Sequence, residues 1–164
     1  MAQVGTLAVK ALAQTLAGQT GIAAGISAVA AKLSLAAASI PAPQLFALNI
    51  ASEAIEKSAG TQYPSMHVYC EKLSNQLREK FRTFSGTARM AIEIRVTHDR
   101  LDGIANLIQV YADAATEVLD THRGDWGQGM FLPGAYELTY GPVKHGGKNF
   151  IQTAKLNFDL EVSR

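Results

Sequence analysis

Cys70, His67, the pair His98-Asp99 and the trio His122, Asp125 and His145 are the residues whose types could do chemistry. A thiolate nucleophile needs a base beside it. His67 lies three residues before Cys70, so in an extended segment the two side chains point to opposite faces and cannot pair. Cys70 shares its parity with Met66 and Val68, which predicts a buried and inert thiol. His98-Asp99 is an adjacent pair of a kind found in metal sites, but no second His/Asp cluster accompanies it, and Asp99 can serve as a helix cap. His122, Asp125 and His145 could share a metal only if folding gathers three separate loop positions. The chain has no phosphate-cradling glycine motif ending in Lys-Ser/Thr and no Gly-x-Ser-x-Gly elbow. A single cysteine excludes an intrachain disulfide and any zinc site with two thiolates. The expectation is a protein with no catalytic residue, no metal and no cofactor.

Charge points the same way. Among 164 residues, Lys and Arg total 15 and Asp and Glu total 14, for a net charge of +1. A strongly electrostatic nucleic-acid binder or a polybasic membrane clamp carries a clear basic excess. The charges are also unevenly spread. Residues 1–60 hold only Lys10, Lys32, Glu53, Glu56 and Lys57, and 18 of those residues are alanine. This division predicts an Ala-rich helical arm over 1–61 and a compact α+β domain over 62–164.

Within the arm, Val4, Leu7, Leu12 and Leu16 suit a first helix, which Gly18 and Gly21 end. Thr20 can cap a second helix carrying Ile22, Ile26, Val29 and Leu33. Pro43 suits the first turn of a third, with Leu45, Leu48 and Ile55 on one stripe. Residues 11–31 carry no charge, and Gly21-x-x-x-Gly25 matches the packing motif of membrane helices. Gln14, Thr15, Gln19 and Thr20 oppose a span, no cationic cluster flanks it, and no signal-peptide layout precedes it. The preferred expectation is an arm that packs on its own domain or on a neighbouring subunit. A small membrane-associated protein anchored by 11–52 is the distant alternative.

The second part shows period two. Met66, Val68 and Cys70 alternate with polar residues near 65–73, and Ala88, Met90, Ile92, Ile94 and Val96 alternate with Arg89, Glu93, Arg95 and Thr97. Phe150–Val162 is a second long alternating strand, and Ala135–Tyr140 a shorter one. Between them Leu101, Ile104, Leu107, Ile108, Tyr111, Ala115, Val118 and Leu119 form a helical stripe. The predicted fold is a two-layer α+β sandwich, with a mainly antiparallel sheet of about four strands, one packed helix and one polar sheet face open to solvent or a partner. The glycine-rich segment 122–134 is either a loop plugging one end of the core or a contact loop. Its Arg123, Asp125, Trp126, Met130 and Phe131 are the candidate subunit or tube contacts, since interfaces favour Trp, Met, Phe and Arg.

This order of elements, carried by Met66–Leu73, Ala88–Thr97, Leu101–Asp120 and Phe150–Val162, resembles the tail-terminator and tail-completion (neck) proteins of long-tailed bacteriophages. The resemblance covers about residues 62–164. It implies a non-enzymatic virion protein, assembled in the host cytoplasm, that forms a homo-oligomeric ring, usually a hexamer. Such a ring caps the tail tube, joins it to the head–tail connector and passes DNA through its channel without a membrane partner. A neighbouring connector or tail-tube role is the nearest alternative. Near-neutral charge suits a channel along which DNA must slide.

Overall fold

A computed structural model describes residues 3–50, 54 and 62–164. Two long strands, β3 (Ser85–His98) and β8 (Asn149–Ser163), pair antiparallel over their full length, from Ser85 opposite Ser163 to His98 opposite Phe150. Their alternating apolar residues Ala88, Met90, Ile92, Ile94, Val96, Ala154, Leu156, Phe158, Leu160 and Val162 are all buried on one face. The second edge of β3 pairs with β2 (Ser65–Asn75), and β2 in turn pairs in parallel with β1 (Gln44–Phe46). The second edge of β8 takes three short strands in succession: β7 (Lys144–Gly146), β6 (Tyr136–Tyr140) and β5 (Met130–Leu132). β4 (Gly124–Gly127) pairs with β5 and ends the sheet.

The sandwich of about four antiparallel strands is therefore corrected. Among the described residues the fold is α+β, with α-helices at Val4–Ala17, Ile22–Lys32 and Leu101–Thr121 and one mixed eight-stranded sheet curved into a half-barrel. The physical reason lies in strand length. A 15-residue β8 exposes more backbone than any one short strand can satisfy, so short segments without a readable period are drawn into the ladder. A bulge at Glu71, between the pairs Cys70↔Met90 and Lys72↔Arg89, adds local bend and twist.

The helices cover the apolar face. α3 (Leu101–Thr121) packs on β3 and β8, burying Ile104, Ile108, Tyr111, Ala115, Val118 and Leu119. α1 (Val4–Ala17) lies on β2 and β3 through Val4, Ala8, Leu12 and Leu16, and α2 (Ile22–Lys32) lies on α3. The buried residues of α1 and α2 belong to the same hydrophobic core as β3, β8 and α3. Two local expectations fail. The residue preceding α2 is Gly21 and not a capping Thr20, whose hydroxyl instead meets the His122 Nε2 at 3.0 Å. Leu33, placed on the apolar stripe by its spacing, is 53% exposed beyond the helix end.

The start of the third arm helix is also corrected, while the later described residue within it, Ala54, is helical. Gln44–Phe46 is a strand because the β2 edge supplies partners, beginning with Gln44 N–H to Pro64 O at 2.9 Å. Leu45 is half-buried and Leu48 exposed, while Ile55 lies outside the described residues. The open polar face is only half true. Ile94 faces the helices as expected, but Arg95, on the opposite face, is 2% exposed. Its guanidinium bonds Glu93 Oε1 (2.9 Å from Nε) and the Ile50 carbonyl (2.7 Å from Nη2). His67 is buried beside it and stacks on Phe46 at 5.0 Å. Burial first, then the Arg95 charge, pushes the His67 imidazole below its ordinary value.

Gly21-x-x-x-Gly25 finds its use inside the molecule. A Cβ on Gly25 would stand 2.5 Å from the Ala114 carbonyl oxygen of α3, so the two helices touch backbone to backbone. Among the described residues no helix is long and apolar enough to cross a membrane. On an exposed helix Gly25→Ala would stabilise by about 1 kcal/mol. Here it should destabilise by about 1–3 kcal/mol through overpacking, read as a lower urea midpoint. A raised midpoint would show that α2 and α3 can part freely.

Candidate functional site

Segment 122–134 is a β-hairpin, not an irregular loop. Gly127 pairs with Met130, leaving Gln128-Gly129 as a two-residue turn. Both turn residues have left-handed φ, +55° and +75°, the signature of a tight hairpin turn matched to strand twist. Gly129 has a second reason to be glycine: an added Cβ would lie 2.0 Å from the Ser163 carbonyl oxygen. Asp125 Oδ1 accepts the Gly127 N–H at 2.7 Å and shapes the approach to the turn.

The five candidate contact residues divide by face. Met130 is 3% exposed and points into the core with Leu132. Phe131, between them, is 47% exposed on the other face. Trp126 is half-buried, donates its indole N–H to the His122 carbonyl at 2.7 Å and meets Phe158 edge-on at 6.2 Å. Arg123 is exposed and pairs with Asp120 at 2.5 Å. Arg123, Asp125 and Trp126 line one side of a groove of about 540 Å³, whose other wall is the C-terminal half of α1 with Ala11, Gln14 and Thr15. The hairpin thus serves the core through Trp126, Met130 and Leu132, and presents Arg123, Asp125 and Phe131 outward.

The residues with chemical potential stay apart. Among the described residues no group of three His, Cys, Asp or Glu side chains could hold a metal ion. His122 is occupied by the Thr20 hydroxyl and, through Nδ1, by the Val118 carbonyl at 2.8 Å. His145 stacks edge-on against Phe150. Asp99 does not cap α3. Arg100 precedes the helix without a side-chain cap, and its N–H donates to the His98 Nδ1 at 3.0 Å. That same nitrogen lies 3.0 Å from Asp99 Oδ1, so the His98 tautomer selects which neighbour it bonds. Cys70 faces α1, half-buried, and burial pushes its thiol up.

A polar cluster that single-strand parity does not disclose occupies the helix-free sheet face. The bulge turns Glu71 toward β8, where it accepts from Lys155 Nζ and, at 2.6 Å, from Asn157 Nδ2. Arg89 lies between Glu71, Glu137 and Asp159 at 3.7, 3.1 and 3.7 Å. The signal was cross-strand register rather than any motif. These partially exposed pairs each contribute little to stability on their own.

No protein-family model matches the chain, and no curated protein matches it.

Two outcomes test this geometry. Trp126→Phe removes the donor to the His122 carbonyl while keeping an aromatic ring, and should lower unfolding free energy by about 1–3 kcal/mol. An unchanged urea midpoint would show that the indole bond holds nothing. The folded Cys70 thiol, with its pKa raised, should react with a disulfide reagent more slowly than the urea-unfolded chain at the same mildly alkaline pH. Equal rates would place the thiol in open solvent.

Proposed function

We propose that this chain is a structural virion subunit of a long-tailed bacteriophage neck: a tail terminator that assembles into a ring, caps the tail tube and joins it to the head–tail connector. The observation that carries the reading is the open sheet. Among the described residues, β1 covers the outer edge of β2 only at Ser65–His67, leaving Val68–Asn75 unpaired, and β4 ends the opposite side. Uncovered strands are a template for pairing with another copy. Further support comes from the end of the half-barrel where the β2–β3 loop meets the β4–β5 hairpin. Arg78, Gly129 and Phe131 line one shared depression there. Leu77, Phe81 and Phe131 stand exposed at 65%, 103% and 47%. Clustered exposed apolar groups mark interaction surfaces. The helical N-terminal segment, the two long strands β2 and β3 and the helix α3 follow the order on which the resemblance was drawn, while a hairpin stands in place of the Gly-rich loop and three closing strands in place of two.

In this role the chain performs no bond chemistry. A ring follows if one surface of a copy meets a different surface of the next at a closing angle. The near-neutral charge leaves DNA free to slide through the channel. Sedimentation velocity up to millimolar concentration, with negative-stain images of the heaviest species, provides the test. A closed ring with a central channel is expected. A single copy at every concentration would overturn the reading.

A further inference from the structure

The β2–β3 loop, residues 76–84, presents Phe81 at its tip with its side chain fully exposed, at 103%. Leu77 stands 65% exposed beside it. Both residues hold left-handed backbone, φ +47° at Leu77 and +67° at Phe81, a conformation that costs apolar residues energy. The base of the loop is tied down. Asn75 Oδ1 accepts from Leu77 N–H at 3.2 Å and Ser85 N–H at 3.1 Å, and its Nδ2 donates to the Thr83 carbonyl at 3.2 Å. Phe84 and Arg164 exchange backbone bonds at 2.9 and 2.7 Å. The apolar tip is therefore held out by a fixed base, an arrangement that lowers the ordering cost of binding.

The loop is basic, with Arg78, Lys80 and Arg82 against Glu79 alone. Among the described residues Arg78 and Lys80 form no ion pair, and Arg82 pairs only with Glu79, at 3.5 Å. The opposite charge sits elsewhere on the same chain. α3 carries Asp102, Asp113, Glu117 and Asp120 and no Lys or Arg; Arg100, Lys32 and Arg123 pair with Asp102, Glu117 and Asp120, so among the described residues Asp113 is the carboxylate of this helix without an ion pair. Where α3 borders β6, two exposed tyrosines flank its acidic side. The Tyr140 hydroxyl donates to Gln109 Oε1 at 2.9 Å, and the Tyr136 hydroxyl lies 3.5 Å from Asp120 Oδ2. Burial first, then the neighbouring Asp113 charge, holds the Tyr140 hydroxyl above its ordinary value.

We infer that the β2–β3 loop of one copy docks on the α3–β6 strip of the next, with Phe81 and Leu77 packing against Tyr136 and Tyr140 and the loop cations facing Asp113. Charge complementarity and the Tyr, Phe and Arg composition of both halves select a second copy of this chain as the occupant. Loop and strip are different surfaces, one at the Ser85 end of β3 and one along the outer side of β8, so the contact is head-to-tail and propagates. The inference rests on the ring reading above and assigns the ring's main contact to loop and strip, with the open edge of β2 a secondary one.

Mixing two variants of the full chain tests it. Phe81→Asp disables the loop, and Asp113→Arg with Tyr140→Ala disables the strip. All three positions are exposed, so each variant should keep wild-type circular dichroism and cooperative unfolding. Each variant alone should lose self-association by at least about tenfold in Kd, a hot-spot effect. The equimolar mixture retains one good loop and one good strip, so it should form a one-to-one pair and nothing larger. Should Phe81→Asp misfold, Lys80→Glu takes its place. If the wild type assembles and the loop variant assembles equally well, this contact is overturned while the ring stands. If the mixture rebuilds full-size assemblies, the head-to-tail geometry is overturned. A wild type that remains a single copy overturns the ring and this interface together.

Discussion

The pairing of β3 with β8 is the constraint on which the rest of the subunit depends. Fourteen residues of β3 meet β8 in unbroken antiparallel register, from Ser85↔Ser163 to His98↔Phe150. Register fixes which face is apolar, because a one-residue slip would turn every side chain over. With Ile92 opposite Leu156 and Met90 opposite Phe158, the paired strands offer one broad apolar surface. α3 covers it, and α2 can then settle on α3 because Gly25 allows backbone contact. The remaining strands are consequences. β5, β6 and β7 pair with the edge of β8 that β3 leaves free, and β2 with the far edge of β3.

Covering one face of such a sheet leaves the question of the other. Here it is divided. Near the β1 end, Ser65, His67 and Arg95 are buried, and the Arg95 guanidinium is held by Glu93 and the Ile50 carbonyl. Tyr69 continues the chain of bonds through its hydroxyl to Glu93 Oε2 at 3.1 Å. A buried guanidinium must be paired, so removal of Glu93 would strand a charge rather than merely delete a contact. Further along, Glu71, Arg89, Lys155 and Asp159 remain partly exposed and interlock across three strands. The first half locks the early segment of the chain to the sheet, and the second half remains a charged outer surface.

Period two over Ala88–Val96 and Phe150–Val162 made the two long strands legible, and the stripe from Leu101 to Leu119 did the same for α3, because these elements are long enough for a repeat to emerge. The short ones are not. Lys144–Gly146 and Met130–Leu132 have three residues each, and they are strands only because β8 holds unpaired backbone beside them. Gln44–Phe46 follows the same rule on β2 against a local pattern that read as helix. Caps were misplaced for a related reason. Thr20 and Asp99 are sound capping types, but Thr20 meets His122, 102 positions away, and the His98 ring occupies the start of α3. At the candidate contact segment, composition located the right residues without their faces. Whether Met130 or Phe131 turns inward depends on the register Met130↔Val162, which no local pattern contains.

The charge-free arm bears on assembly in an unexpected direction. A helical arm with so few charges invites the idea that neighbours cover it. Yet Val4, Ala8, Leu12, Leu16, Ile22, Ile26 and Val29 are all buried in the subunit's own core. Their apolar character is explained without a partner, so the arm helices lend no weight to oligomerisation. Among the described residues, exposed apolar groups gather in two short stretches of chain, after α2 at Leu33, Leu35 and Leu48 and in the β2–β3 loop at Leu77 and Phe81, with Leu101 and Phe131 standing singly elsewhere. The two places differ in kind. The stretch from Leu33 to Ile50 contains no charged residue, which gives it little means of choosing a partner or an orientation. The loop sets its two apolar groups among Arg78, Lys80 and Arg82 on a base fixed by Asn75. Cations around an apolar anchor penalise a wrong partner as well as favouring the right one. A subunit that must meet its neighbour in one register needs that kind of surface, and the β2–β3 loop supplies it.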